Sequence, residues 1–561
     1  MIRLIVPLKN STNTKYIFIS GGVISGIGKG LTASSISFLL KSAGYKVAPI
    51  KFENYLNLDA GTINPIEHGD PFLCEDGTEG DMDIGSYEKF LSEDMGLENF
   101  VTMGKIYHTV IERERRFEYN GEDVEAIPHI TDEIISRITG LAKKKEADIV
   151  VVELGGTAGE YQNILYYEAS RIMTLKNPGD VIHIHVSYMP TPGHLGEPKT
   201  KPTQLSVRTL NGMGIQPDLI VARSEKYLDQ RRRDRFALFC NMHPEDIISN
   251  PDVESVYEIP LTLHQQGIEN RIFEKLGLVN KKPQIAAWEK LVEKIKKKKK
   301  KTIDIVIVGK YFGTGDYQIR DSYAALLDAV DHASWEADVE VNTRWIDAQK
   351  VEKEGVSIIG KPDGIIVPIG WGQRGAEGMI TAVTYALDHK IPYLGLCYGM
   401  QLAVVAYARH VLGLSKANTE ENDPKTPDPV IHIIEGQKEL MAKRAYGGTM
   451  RLGGWDAIVE KGTRAYELYK KAGFKNGKDG LTSERHRHRY EFNNAYAKQL
   501  EDAGLVISAR SVAENLVEII ELPKDKHPFF MGTQGHPEYK SRPLSPHPLF
   551  VAFLDAAAGK A

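Results

Sequence analysis

A chain of 561 residues is too long for one hydrophobic core of ordinary size, so its length predicts several domains or two large ones. A formal net charge of -5, with 42% apolar and 26% charged residues, suits a soluble globular protein and leaves no global basic footprint for nucleic acid. No apolar run reaches bilayer-spanning length, the N-terminal MIRLIVPLKNSTNTK is too short in its apolar part for a secretory signal, and Cys74, Cys240 and Cys397 are too few and too scattered for a disulfide framework. The expectation is a cytoplasmic protein with no membrane and no nucleic-acid partner, whose small anionic ligands are held by local clusters.

Short β-branched or aromatic runs alternate with helical patterns: Tyr16 to Ile19, Lys46 to Ile50, Asp148 to Val152, Val181 to Val186 and Leu219 to Ala222. That alternation predicts an α/β domain on a parallel sheet. Immediately after the first run comes GGVISGIGKG, Gly21 to Gly30, and then the helical LTASSISFLLKSAG. Strand, glycine loop and helix make a phosphate cradle, in which backbone N–H groups approach the anion and Lys29 reaches the outer phosphates. Gly30 stands where a standard P-loop has a metal-binding Ser or Thr, so a cation needs other oxygens. Asp83, in DMDIG, and Glu153, closing the apolar ADIVVVE, are the candidates, because Mg²⁺ prefers carboxylates and a parallel sheet offers ligands at its carboxyl edge.

Farther along, Lys199-Thr200-Lys201-Pro202-Thr203-Gln204 reads either as a polar surface loop or as a second polyanion site. Arg231-Arg232-Arg233-Asp234-Arg235 is equally open, between a solvated helix face and an anion contact. Six consecutive lysines, Lys296 to Lys301, then predict a solvated and flexible connector. A second α/β series follows, with IDIVIVG after Thr302, GIIVP at Gly364 to Pro368, YLGLC at Tyr393 to Cys397 and FFMGTQ before His536. Gly395-Leu396-Cys397-Tyr398-Gly399, between a strand and a helical run, has the form of a nucleophile elbow, which exposes the thiol at a helix N-terminus and favours thiolate. His536-Pro537-Glu538 supplies a base and a carboxylate to orient it.

GGVISGIGKG, DAGTINPIEHGD, EDGTEGDMDIGSYEKF, ERR, IPHIT, VELGGTAGE, KTKPTQ and FALFCN occur here in the order seen in the CTP synthase family, and the Cys-His-Glu half resembles the class I glutamine amidotransferase domain attached to those enzymes. The resemblance implies two parallel-sheet α/β domains: a P-loop-like synthetase (amidoligase) domain at 15–289, a Lys-rich linker at 290–302 and a glutamine amidotransferase domain at 303–561, with residues 1–14 as an extension. It implies a ligase that aminates UTP to CTP with ATP, taking ammonia from L-glutamine, through a 4-phosphorylated UTP and a glutamyl thioester. It also implies an enclosed path for ammonia, activation by GTP, inhibition by CTP, and dimers joining into tetramers.

Residue by residue, the resemblance assigns ATP to Gly26, Ile27, Gly28, Lys29, Gly30 and Leu31, with Asp83 and the adenine-contacting Pro251, Asp252 and Val253. Mg²⁺ falls to Asp83 and Glu153. UTP or CTP falls to Ser25, to Glu160, Tyr161 and Gln162, to Lys199, Thr200, Lys201, Pro202, Thr203 and Gln204, and to Arg235. Glutamine falls to Gly370, Tyr398, Gly399, Met400, Gln401, Glu421 and Arg489. Cys397, His536 and Glu538 form the triad, Lys51 joins Lys29 in neutralising phosphate charge, and Trp371 to Gly378 is a mobile lid tied to GTP activation.

Several positions depart from the family pattern, among them Gly159-Glu160-Tyr161-Gln162, where Gly-Asp-Ile-Glu is common. Arg235 replaces a lysine, and Gln162 replaces an acidic residue, predicting altered CTP feedback. Ile369 precedes Gly370 where a glycine is common, predicting backbone strain if that position needs positive φ. Gly535 precedes His536 where an aromatic residue is usual. The competing reading is an amidoligase of the same two modules acting on a carboxylate, which dependence of ATP hydrolysis on UTP separates from this one.

Overall fold

The computed structural model describes residues 14–65, 69–194, 196–314, 317–318 and 320–560; the expectation for residues 1–14 therefore lies outside the described residues, Thr14 excepted. The chain divides into two compact units, one of residues up to Asp59 plus Asp83–Ile295, the other of Ala60–Met82 plus Lys296–Ala561. The second boundary falls between Ile295 and Lys296, at the start of the lysine run. The excursion of Ala60–Met82 into the second unit was not foreseen, because nothing in DAGTINPIEHGD or EDGTEGD marks the chain as changing partners.

In the first unit the strands are β1 (Lys15–Gly22), β2 (Val47–Glu53), β3 (Phe100–Thr102), β4 (Ile149–Leu154), β5 (Val181–Tyr188), β6 (Leu219–Ser224) and β7 (Ile247–Pro251). They form one sheet in the order β3-β2-β4-β1-β5-β6-β7, every pairing parallel. The central strands are buried along nearly their whole length, which is why they read as unbroken apolar runs rather than alternating ones. The two strands the sequence reading missed, β3 and β7, are the edges; one has three residues and the other carries Ser249 and Asn250. Helix α1 (Lys29–Ser42) leaves β1 through the glycine loop and buries a face of Thr32, Ser34, Ser35 and Ser37 among its apolar residues. Two of these hydroxyls are satisfied within the helix, Thr32 and Ser35 donating to the carbonyls of Gly28 and Leu31 at 2.8 and 2.6 Å, while Ser34 and Ser37 have no hydrogen-bond partner among the described residues.

The second unit is built on β8 (Thr302–Gly309), β9 (Glu340–Asp347), β10 (Gly364–Val367), β11 (Tyr393–Leu396), β12 (Arg451–Val459), β13 (Leu481–His488), β14 (Val506–Ser511), β15 (Val517–Glu521) and β16 (Phe530–Thr533). Their order is β9-β8-β10-β11-β16-β15-β14-β12-β13. The sequence reading of a parallel sheet holds from β9 to β16; beyond that the sheet continues antiparallel. The extra strands carry charge, as in ERHRHR, and so lack the apolar signature of a buried parallel strand. Along β8 the residues alternate between faces: Ile303, Ile305 and Ile307 enter one core, Val306 and Val308 the other.

The lysine run is less free than its composition suggests. Lys296 ends a helix (Ala286–Lys296), Lys299 lies 3.5 Å from Asp338 with its side chain 7% exposed, and Lys301 donates to the carbonyl of Ala558. Neighbouring carboxylate and carbonyl groups thus absorb part of the like-charge repulsion.

Candidate functional site

The first unit gathers its charged residues at the carboxyl ends of β1, β2 and β4. The loop after β1 puts Val23, Gly26 and Gly28 at φ 83°, 69° and 85°, and for β-branched Val23 that is a strained conformation of the kind held at binding loops. Ile27 is buried, Ser25 and Gly26 are exposed, and Lys29 folds back to donate to the carbonyl of Gly156 at 2.8 Å. Burial first, then the neighbouring Lys51, pulls the Lys29 pKa down.

The register of β2 and β4 sets Lys51 beside Glu153. The Lys51 ammonium contacts Glu153 at 2.8 Å, Asp83 at 2.5 Å and Glu53 at 3.1 Å, and Tyr87 donates to the other Glu153 oxygen at 2.8 Å. Glu153 is fully buried, and desolvation raises its pKa to about 7 against the pull of Lys51. Asp83 is also desolvated, yet Lys51 and Lys29 hold its pKa below the usual value. Gly30 now has a physical explanation: a Cβ there would lie 2.2 Å from Asp83 Oδ1. The Asp83 carboxylate occupies the space in which a P-loop hydroxyl would stand, so hydroxyl and carboxylate are alternatives at one position. Asp83 and Glu153 are thus two hard oxygen donors converging beside one ammonium, a set that fits Mg²⁺.

The two ambiguous basic runs come together. Lys199 and Thr200 precede a helix (Lys201–Gly212) whose first turn holds Lys201 to Gln204, and Arg235 lies on the helix Gln230–Cys240. Lys199, Thr200, Lys201, Arg231, Arg232 and Arg235 line a cavity of about 250 Å³ with Glu197 and Pro198. Arg233 points away, donating to Gln266 at 3.0 Å, and Thr203 is buried against Ser187. Gln204 donates to Thr200 at 3.1 Å and Pro202 sits in the first helical turn. Glu160 is held by the Thr157 N–H and hydroxyl at 2.7 and 2.6 Å, while Tyr161 and Gln162 are exposed. At the end of β7, Pro251 is buried, and Asp252 next to it accepts from Arg223 at 3.0 Å, followed by half-buried Val253; Leu31, likewise half-buried, is in the first turn of α1.

In the second unit Cys397 caps the helix Tyr398–His410 at φ 50°, ψ −100°, a conformation that costs about 1–3 kcal/mol and is held by its surroundings. Gly399 permits the turn, since a Cβ there would lie 1.9 Å from the Val367 carbonyl. The elbow does not expose the thiol as expected. Cys397 is 2% exposed, its sulfur 3.5 Å from the Gln534 amide and 3.9 Å from the Arg487 carbonyl. His536 is fully buried; its Nδ1 pairs with Glu538 at 2.8 Å. Its Nε2 has no hydrogen-bond partner among the described residues. Burial opposes protonation, but Glu538 and Cys397 outweigh it and raise the imidazole pKa to about 10. A carboxylate on one nitrogen and a thiol beside the ring are the arrangement that makes a nucleophilic sulfur.

Ile369 is not strained: it lies outside the left-handed region and packs in the core, 3% exposed. Gly535 has a local reason as well, because a Cβ there would meet Glu484 Cβ at 2.7 Å. Glu484 is in turn fixed by Tyr469 at 2.8 Å and His547 at 2.9 Å, so it fills the space an aromatic side chain would need.

Glu421 accepts from the Gly372 N–H at 2.7 Å, and burial raises its pKa. Arg489 donates to the Tyr446 carbonyl at 2.8 Å and to Thr449 at 3.0 Å. Both face a cavity of about 680 Å³ that also takes in Trp371, Tyr490, Arg487 and Gly61. Gly370 packs against Tyr398 and Lys310, Gln401 donates to Tyr490 and Gln534, and the Met400 side chain is in the core. The sequence reading missed Lys310, which donates to the carbonyls of Trp371, at 3.1 Å, and Gly372, and sits 4.3 Å over the Tyr398 ring. Only its place right after strand β8 could have flagged it.

A family model described as CTP synthase N-terminus matches residues 15–278, and one described as Glutamine amidotransferase class-I matches 318–556. A CTP synthase of Caldanaerobacter subterraneus is 48% identical over 97% of this chain and 98% of its own. The chain belongs to the CTP synthase family. Similar relatives are CTP synthases of Pyrococcus furiosus, 47% identical, and Clostridium acetobutylicum, 44% identical, each over 97% of this chain and 98% of theirs. As a CTP synthase family member the chain is a ligase with a synthetase half and a class I glutamine amidotransferase half. No helix among the described residues is long and apolar enough to cross a membrane.

Proposed function

We propose that this protein aminates UTP to CTP, using ATP to activate the pyrimidine carbonyl and L-glutamine as the source of ammonia. The observation that carries the reading is the presence in one chain of a Lys29–Lys51–Asp83–Glu153 cluster at a glycine loop and a Cys397–His536–Glu538 triad.

The C4 oxygen of UTP is a poor leaving group, and phosphorylation by ATP makes it a good one. Phosphoryl transfer depends mainly on position and electrostatics. The glycine loop with the start of α1 binds the ATP phosphates; Lys29 exchanges the Gly156 carbonyl for phosphate oxygen, and Lys51 neutralises charge from below. Pro251, Asp252 and Val253 receive the adenine. Mg²⁺ would be held by Asp83 and Glu153 and would supply further neutralisation of the phosphates. The basic cavity of Lys199, Lys201 and Arg235 holds the UTP triphosphate, and Glu160, Tyr161 and Gln162 take part in binding product CTP as a feedback inhibitor.

In the other half, His536 takes the Cys397 proton and Glu538 stabilises the imidazolium. The thiolate attacks the glutamine amide, with Glu421 and Arg489 orienting the amino acid and the Gly370 N–H available to the oxyanion. The proton returned by His536 lets ammonia leave, and water releases glutamate from the thioester. Trp371 to Gly378, pinned by Lys310, is the element on which GTP activation acts. We place the enzyme in the cytoplasm, where its three buried cysteines, none of them in a disulfide, stay reduced, and as a homodimer or homotetramer, consistent with exposed Phe117 and Leu238.

The test is CTP formation by purified protein given ATP, UTP, Mg²⁺ and ammonium. ATP hydrolysis that requires UTP supports the reading; ATP turnover that ignores UTP refutes it in favour of a carboxylate amidoligase.

A further inference from the structure

The excursion Ala60–Met82 packs within the second unit, and its contacts converge on the triad rather than on a remote surface. Strand β13 presents its arginines to this segment. Arg487 donates to Glu79 at 2.5 Å, to Asp70 at 3.3 Å and to the Gly61 carbonyl at 3.1 Å. Arg485 donates to Glu75 at 3.2 Å and to the Leu73 carbonyl at 2.9 Å. Arg485, Arg487, Glu79 and Asp70 are buried, whereas the Glu75 side chain is about 31% exposed, so removing a partner of Arg487 strands charge in a low-dielectric site.

Through Asp70 and its neighbours the segment touches the reacting groups at one remove. Tyr539, which follows Glu538 in sequence, donates its hydroxyl to Asp70 at 2.9 Å and to the Pro71 carbonyl at 3.1 Å. Its ring lies against that of His536, centroids 5.4 Å apart, with Phe72 edge-on behind it at 5.2 Å. Arg487, the other partner of Asp70, offers its carbonyl to Cys397 Sγ and its guanidinium to the Trp371 ring at 5.4 Å. A single buried carboxylate therefore ties together the ring that backs the base, the strand that backs the nucleophile and the start of the proposed lid.

We propose that the Ala60–Met82 segment is a working part of the glutamine-hydrolysing site, with Asp70 as its positioning residue acting through Tyr539 on His536 and through Arg487 on Cys397. The inference rests on the proposed function only in taking Cys397 as the nucleophile. Its consequence is that glutaminase competence is set in part by the N-terminal stretch of the chain, in a segment that leads directly into Asp83 at the proposed ATP site.

The test uses the full-length protein and two isosteric replacements, Asp70→Asn and Tyr539→Phe, each shown to unfold at the parent's temperature. The readouts are the ratio of glutamine-supported to ammonium-supported CTP formation, and the pH profile of Cys397 alkylation by an electrophilic glutamine analogue. Each single variant lowers the ratio about tenfold through kcat, and the double variant loses no more than the worse single, because both act on one path. Asp70→Asn also moves the alkylation midpoint to higher pH, since the lost negative charge no longer favours the imidazolium; Tyr539→Phe, which keeps that charge, moves it less. Ratios within twofold of the parent, additive losses or an unmoved alkylation profile overturn the proposal. A parent protein that makes no CTP from ammonium while its Cys397 still reacts would refute the proposed function instead, and leaves the alkylation profile to judge the positioning.

Discussion

Gly30→Ala asks whether the Asp83 carboxylate truly occupies the place of a P-loop hydroxyl. The new Cβ would start 2.2 Å from Asp83 Oδ1, and real contacts of this kind begin near 3.0 Å, so the carboxylate must retreat by about 0.8 Å. The bond to Lys51 is made by the other oxygen, Oδ2, but the two oxygens of one carboxylate move together, so its 2.5 Å length is lost while the Glu153 and Glu53 contacts stay in place. The loss of a charged hydrogen bond is worth about 1.5–3 kcal/mol, which, felt at the transition state, is roughly a 10- to 100-fold fall in rate. The assay is ammonium-supported CTP formation at saturating ATP and UTP, with circular dichroism and Cys397 alkylation as checks that the rest of the protein is intact. Parent-like synthesis by a folded Gly30→Ala protein would refute the reasoning, because it would mean that the position of Asp83 does not matter.

Other outcomes follow from the same geometry. Glu538→Gln removes the main group raising the His536 pKa from its ordinary 6.5 to about 10. A pKa raised by folding stabilises the native state fully below about pH 6.5 and loses that effect as pH climbs through about 10. The parent's stability advantage over Glu538→Gln, measured by urea unfolding, is therefore largest at pH 6 and shrinks towards pH 10; a gap independent of pH contradicts the assignment. Burial lowers the Lys310 pKa to about 8, so glutamine-supported activity falls in the parent as pH rises past that value. Lys310→Met, with no proton to lose and no bond to the Trp371 and Gly372 carbonyls, starts lower and lacks this fall. Gln162→Glu changes the CTP concentration for half-inhibition by threefold or more in initial-rate assays, and an unchanged value counts against a role for that exposed position.

Much of this was legible in the sequence because each part has its own local signal. Parallel strands buried on both faces announce themselves as apolar runs, and the glycine loop and the Gly-x-Cys-x-Gly turn announce themselves by residues that only tight backbone tolerates. What stayed hidden depends on packing between distant stretches. The basic runs around Lys199 and Arg235 were ambiguous separately and become one cavity only when two helices meet. The burial of Cys397 follows from Arg487 and Gln534, 90 and 137 residues away in sequence. Ile369 and Gly535 looked like defects against the family pattern, yet one is an ordinary core residue and the other makes way for Glu484. The antiparallel half of the second sheet escaped because its charges pair with buried partners, such as Arg451 with Glu518 at 2.7 Å, which periodicity cannot foresee.

The central claim is a division of labour between a thiol that frees ammonia and a nucleotide site that consumes it, and replacing Cys397 with Ala tests it most directly. With glutamine as nitrogen donor the variant makes no CTP, while with ammonium it retains the parent's rate to within about twofold, since none of the groups around Lys51 is altered. Loss of both activities in a folded variant, or survival of the glutamine-supported one, would contradict the account.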